Sequence, residues 1–149
     1  MELLTIIIFS VVFLLFSFFV GRAIVLGKGK LGEARVSHIV GRLPQEDYVV
    51  LDDLMLTNKY GNTTQIDHVV VSRYGIFVIE TKNYKGWIYG HENAEKWTQN
   101  IYGNKYELYN PIRQNNTHIN VLRSALSEFG KLPFVSIIAF SPQASLCVT

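Results

Sequence analysis

The stretch IDHVVVSRYGIFVIETKNYKG, Ile66 to Gly86, constrains the fold more than any other part of this chain. Two runs of Val, Ile and Phe flank Arg73-Tyr74-Gly75, a pattern that predicts an antiparallel hairpin bound for a core. Asp67 nevertheless sits near the start of the first arm, and Glu80 and Lys82 near the end of the second. Side chains alternate along a strand, so Glu80 and Lys82 share a face. With Arg73-Tyr74 as the turn loop, Asp67 opposes Glu80; with Tyr74-Gly75 it opposes Lys82. Either way the three converge, unless a longer loop or a bulge intervenes. Two neighbouring carboxylates repel, and burying either one unpaired is costly. A divalent cation resolves both difficulties, and a lysine beside it suits phosphodiester hydrolysis. The competing reading is an exposed Glu80–Lys82 salt bridge at the strand end.

The hairpin belongs to the second of two unlike segments. LLTIIIFSVVFLLFSFFV, Leu3 to Val20, holds fifteen Leu, Ile, Phe or Val residues and no charge. At the insertion value of each residue these total roughly −5 to −9 kcal/mol, a clear membrane preference. Eighteen residues of helix reach about 27 Å, and GRAIVL can extend the span with Arg22 at the head groups. No cation precedes the run and no A-x-A site follows it, which disfavours a cleaved signal peptide. Glu2 lies before the span, whereas Arg22, Lys28, Lys30 and Arg35 lie after it. The expectation is a single-pass protein with its N-terminus outside and its domain in the cytoplasm. Residues 1–26 are therefore read as anchor and juxtamembrane segment, and 27–149 as one domain with a single core.

After Val20 the fourteen Lys and Arg face eleven of the twelve acids, a net charge of about +3. That is too mild to indicate nucleic acid from charge alone. Cys147 is the single cysteine, which excludes an internal disulfide and Cys-based zinc motifs.

Periodicity places a helix over Leu31–Leu43, stopped by Pro44, and a strand over Tyr48–Leu56. The hairpin follows, then short strands at GWIYG and around KYELY, separated by a loop containing Trp97. Asn110-Pro111 predicts a helix start, with Ile112, Ile119, Leu122, Leu126 and Phe129 as the buried stripe and Gly130 closing it. FVSIIAF, Phe134 to Phe140, reads as a central strand covered on both faces. The order implies a mixed sheet with helices packed on it, and SLCVT reads as a strand just beginning, which suggests a fragment or a minimal domain.

Other polar residues fall beside these elements. Glu33 shares a helix face with Val36 and Val40, so it is a candidate inward-facing acid, although an acid at a helix start is also ordinary dipole chemistry. Gln114 and His118 form a polar strip beside the apolar stripe. His68 points away from Asp67 and is expected to be structural; His38 and His91 have no partner at ligand spacing.

GEARV, TQIDHVVVSRYGIFVIETKNYKGWIYG, Trp97 and NPIRQNNTH together resemble the nuclease-related domain over roughly Gly29 to Phe140. That family is assigned to the PD-(D/E)XK nuclease superfamily, so the resemblance implies an α/β, restriction-endonuclease-like fold: a mixed central sheet flanked by helices, here preceded by one transmembrane helix. It implies Asp67 and Glu80 as metal ligands, Lys82 as the catalytic lysine, Glu33 as the acid of the first helix and Gln114 as the polar residue of the later one. Mg2+ or Mn2+ would be held by Asp67 and Glu80, helped by a backbone carbonyl near Thr81 and by Glu33 through water. The expected activity is hydrolysis of nucleic-acid phosphodiester bonds, DNA foremost, by a membrane-anchored enzyme. The rival is a catalytically silent nucleic-acid-binding or membrane-tethered scaffold module, since KNYKGWIYG and KWTQNIYGNKYELY interleave Lys with Tyr and Trp.

Overall fold

The computed structural model describes residues 29–57 and 61–149. The apolar arms form β2 (Thr63–Ser72) and β3 (Gly75–Lys82), joined through Arg73-Tyr74, with Ser72 paired to Gly75 and His68 to Ile79. β1 (Tyr48–Thr57) adds antiparallel to β2. The chain then leaves this sheet for β4 (Gly86–Gly90), β5 (Lys96–Ile101) and β6 (Asn104–Tyr109), which pair antiparallel in that order. After a long helix it returns as β7 (Phe134–Phe140), parallel to β3, and β8 (Ala144–Val148), parallel to β4. The result is two four-stranded mixed sheets, ordered β1-β2-β3-β7 and β6-β5-β4-β8. The links between them are bonded to each other, Ser141 N–H to Lys82 O and Gly86 N–H to Gln143 O, each at 3.0 Å. The β3–β7 pair thus passes from one sheet into the next as β4–β8.

Helices cover both faces of the first sheet. Among the described residues α1 is helical over 29–40, three residues short of the expected Leu43, where the chain turns. Gly32 lets it approach the end of β3: a Cβ there would stand 2.8 Å from Asn83 Cβ and 3.2 Å from Thr81 Cγ2. Helix α2 (Pro111–Ala125) packs on the opposite face, where Ile119 and Leu122 close a core with Ile66, Val69, Ile76 and Val78. Its cap is Asn110, whose side chain accepts from Ile112 N–H at 2.9 Å.

Three expectations need correction. α2 ends at Ala125 and is followed by a 3-10 turn, Ser127–Phe129, so Phe129 swings out and is exposed. Its buried face is half polar, with Asn115 and His118 beside Ile119 and Leu122, because they meet backbone and carboxylate groups of the sheet rather than apolar side chains. β7 is an edge strand among the described residues, with Val135 and Ile137 more than a third exposed. Its apolar sequence reflects α2 on one face; Asn115 Nδ2 donates there to Ser136 Oγ and to Val78 O, both at 2.8 Å. The segment around Trp97 is a strand, not a loop. Trp97 lies over Gly90, where any Cβ would overlap its ring, and stacks at 6.3 Å on Phe140.

The expected span, Leu3–Val20, lies outside the described residues. Among those described, no helix is long and apolar enough to cross a membrane.

Candidate active site at the end of the hairpin

Alternation along β3 puts Ile76, Val78, Glu80 and Lys82 on the α2 face, and Ile79 and Thr81 on the α1 face. Glu80 is therefore buried against the polar half of α2. Its Oε1 accepts from Lys82 Nζ at 2.6 Å and from Gln114 Nε2 at 2.7 Å, and its Oε2 lies 3.2 Å from His118 Nε2. Lys82 Nζ also donates to Gln114 Oε1 at 3.0 Å, which closes a ring of three side chains. The far nitrogen of His118 meets Thr64 Oγ1 at 2.9 Å. Burial acts to raise the Glu80 pKa, but the bonds from His118 and Lys82 outweigh it, and the carboxyl ends below its ordinary value. The Glu80–Lys82 pair thus exists, yet it is inside the protein, with side chains 4% and 14% exposed, not a solvated bridge.

Asp67 takes a different position from the one plain alternation assigns it. The β1–β2 pairing runs from Asp52–His68 directly to Leu54–Ile66, skipping Asp53 and Asp67, and Asp53 has φ 53°. Below this irregularity Thr64 and Ile66 face α2, whereas His68 above it faces α1. Both strands change phase here while the register stays the same, because each leaves one residue, Asp53 or Asp67, out of the ladder. Asp67 Oδ2 consequently accepts from Thr81 N–H at 2.7 Å, and the residue lines a cleft of about 250 Å³ with Glu33, Asp53 and His68. Burial, then the charge of Glu80, push the Asp67 carboxyl above its usual value. Glu33 is raised as well, by burial and by Asp67 and Asp53.

The expected residues are thus gathered at one strand end but on two sides of it. Lys82, Glu80 and Gln114 form the α2-side cluster; Asp67 and Glu33 line the α1-side cleft; Thr81 bridges them through its backbone. The composition of this chain did not signal Asp53, whose left-handed backbone shapes the cleft. The periodic reading also undervalued His118, which sits against Glu80. His68, expected to point away from Asp67, shares the cleft with it instead; its Nδ1 lies 2.7 Å from Asp52 Oδ1, which Ser37 supports from α1, and its Nε2 is buried without a partner among the described residues.

A hard cation fits these donors in kind. They are oxygens, Asp67 carries a buried charge that the Thr81 N–H and Lys82 do not fully offset, and Thr81 Oγ1 is buried without a partner among the described residues. Among the described residues no three His, Cys, Asp or Glu side chains are drawn together as a metal-holding cluster. Mg2+ does not require one, since it is commonly held by one or two carboxylates and retains waters.

The two four-stranded mixed sheets, the first with helices on its faces, are an α/β arrangement compatible with a restriction-endonuclease-like fold, with the carboxylate–lysine cluster at a strand end. A family model described as nuclease-related domain matches residues 28–141, and the chain belongs to that family. An uncharacterized protein of Bacillus anthracis is 44% identical over 119 residues, covering 80% of this chain and 55% of that protein. The chain therefore spans about half the length of this curated relative. No solved structure matches it.

Proposed function

We propose that this chain is a membrane-anchored, divalent-metal-dependent nuclease that hydrolyses phosphodiester bonds, with DNA as its substrate. The observation that carries the reading is the clamp on Lys82 by Glu80 and Gln114, beside a second, poorly compensated carboxylate. Asp67 and Glu80 face different sides of the strand end yet lie near enough for the charge of Glu80 to raise the Asp67 pKa. With the Thr81 backbone carbonyl, and Glu33 through water, they would hold Mg2+ or Mn2+, which supplies Lewis acidity at the scissile phosphate.

The chain's own groups do the remaining work. An ammonium has three N–H donors, and Lys82 commits two of them, to Glu80 and Gln114. The third is left to orient the attacking water and to stabilise negative charge as the new bond forms. Gln114 neither gains nor loses a proton, so it acts as a positioning residue that keeps Lys82 and Glu80 aligned. His118 fixes the second oxygen of Glu80. Glu33, Asp53 and Asp67 together would repel a phosphate backbone, which gives the cleft a physical reason to require a cation.

The test is metal-dependent cleavage of DNA by the full chain. Activity with Mg2+ or Mn2+, lost in a chelator, is expected; binding without cutting across metals and substrate structures decides for a silent binding module. The membrane reading expects a C-terminal reporter to work only if it requires the cytoplasm. Activity of a periplasmic or extracellular reporter overturns that orientation.

The strain at Asp67 has its own consequence. A carboxyl whose folded pKa is raised contributes stability while protonated, and that contribution is lost as pH rises through the folded value. At neutral pH the ionised Asp67 is therefore a liability that Asn would relieve. Asp67→Asn is expected to raise metal-free stability by roughly 1 kcal/mol while removing activity. Mg2+ should raise the melting temperature of the wild type through binding to the folded state, and leave the variant unmoved. Equal stabilisation of both proteins by Mg2+ would exclude Asp67 as a ligand.

A further inference from the structure

We propose that the outer face of the second sheet is a stacking platform for single-stranded nucleic acid. Strand β4, GWIYG, alternates cleanly: Ile88 is 0% exposed, while Trp87 and Tyr89 stand outward at 53% and 43%. Their rings lie 6.4 Å apart with an interplanar angle of 19°, so they present nearly parallel faces. Their neighbours on that face are small or polar, Asn100 and Thr98 on β5, Ser145 and Cys147 on β8. A groove of about 720 Å³ runs past the rings, lined by Lys85, Asn100, Tyr102 and Gln143 among others, with no carboxylate in its wall.

Tyr102 marks one end of this groove. It and Gly103 form a two-residue hairpin turn with φ 51° and 88°, where Asn-Gly is the usual choice. A bulky residue with positive φ is locally unfavourable, and this ring is 97% exposed, so burial does not hold it there. Charge selects the ligand. Lys85 and Lys105 are exposed and make no ion pair among the described residues, and Lys105 pairs with Asn100 on the face of the rings. Glu107, on the same face, is tied by Lys96 at 2.7 Å. Flat rings interleaved with free cations match bases and phosphates of one strand, whereas a duplex hides its base planes. The proposal rests on the nuclease reading only for destination: Lys85 follows Lys82 by three residues, about 10 Å of extended chain, so a strand on the platform leads to the carboxylates.

The test uses the full chain in a chelator, with labelled oligo-dT and oligo-rU of about a dozen nucleotides and a duplex of equal length. Of the two tryptophans, Trp97 is only 3% exposed, so quenching of intrinsic fluorescence reports Trp87. Single strands are expected to bind more tightly than duplex and to quench. Trp87→Ala and Tyr89→Ala should each weaken binding by roughly five- to a hundredfold, and Lys85→Ala should reduce the salt slope by about one. Trp87→Phe should restore most of the affinity without the quench. Preference between the dT and rU arms identifies the polymer. Unchanged affinity in both aromatic variants, absence of quenching, or tighter binding to duplex overturns the platform. Cleavage without quenching defeats the platform alone; quenching without cleavage, once Mg2+ or Mn2+ is added, defeats the nuclease reading alone.

Discussion

Glu80→Ala is expected to abolish cleavage and divalent-ion affinity together, whereas Lys82→Ala abolishes cleavage and spares the ion. Loss of the developing-charge partner or of a ligand should each lower the rate by on the order of a thousandfold or more. The difference lies in what each side chain can do. Glu80 supplies lone pairs that a cation needs; Lys82 supplies only N–H donors and coordinates nothing. Glu80→Ala carries a second cost, because it leaves the 14%-exposed Lys82 with Gln114 as its remaining partner. Breaking a buried pair from one side costs about 3–5 kcal/mol, so thermal stability has to be followed in parallel. In Lys82→Ala, Glu80 keeps its bonds from Gln114 and His118, and the carboxylate stays in place. Calorimetric titration with Mg2+ or Mn2+, set beside cleavage rates, separates the two. Equal loss of ion binding in both variants, or persistent cleavage in either, would refute the division of roles.

The second large effect is on stability and sits at Asn110, which is 0% exposed. Its Oδ1 caps α2, and its Nδ2 donates to Glu92 O at 2.8 Å and Ala94 O at 2.6 Å. One amide thus joins the helix that carries Gln114 to the loop before β5. Asn110→Ala forfeits a cap of about 1 kcal/mol and strands two carbonyls at about 1–3 kcal/mol each, so a loss of roughly 3 kcal/mol or more is expected. Asn110→Asp keeps the cap but cannot donate, and should be nearly as damaging. Urea unfolding at unchanged m checks both. An Asp variant close to wild type would show that capping alone matters at this position.

Much of the site could be read from the chain because strand and helix periods are local. Two-residue alternation places Glu80 and Lys82 on one face, and Asn110-Pro111 starts a helix whose polar strip carries Gln114. Those relations depend on backbone geometry within a few residues. The choice between the two turn loops was open to sequence and was closed by the β2–β3 register, Ser72 against Gly75. His118 was legible as polar but not as the partner of Glu80, since nothing local says which sheet residue a helical side chain meets.

What the sequence determined by itself is the hairpin, the capped helix and the collection of carboxylates and lysine at one strand end. Each follows from steric alternation, capping chemistry or charge type. Tertiary structure alone decided that the pairing skips Asp53 and Asp67, which carries Asp67 off the Glu80 face into a cleft with Glu33. It alone decided that the strands divide into two sheets, with Trp97 packed inward and Trp87 left outside. The physical reason is common to both. Register, bulges and the face a strand buries are fixed by pairing between segments distant in the chain, and a change of phase by one residue moves every following side chain to the other face.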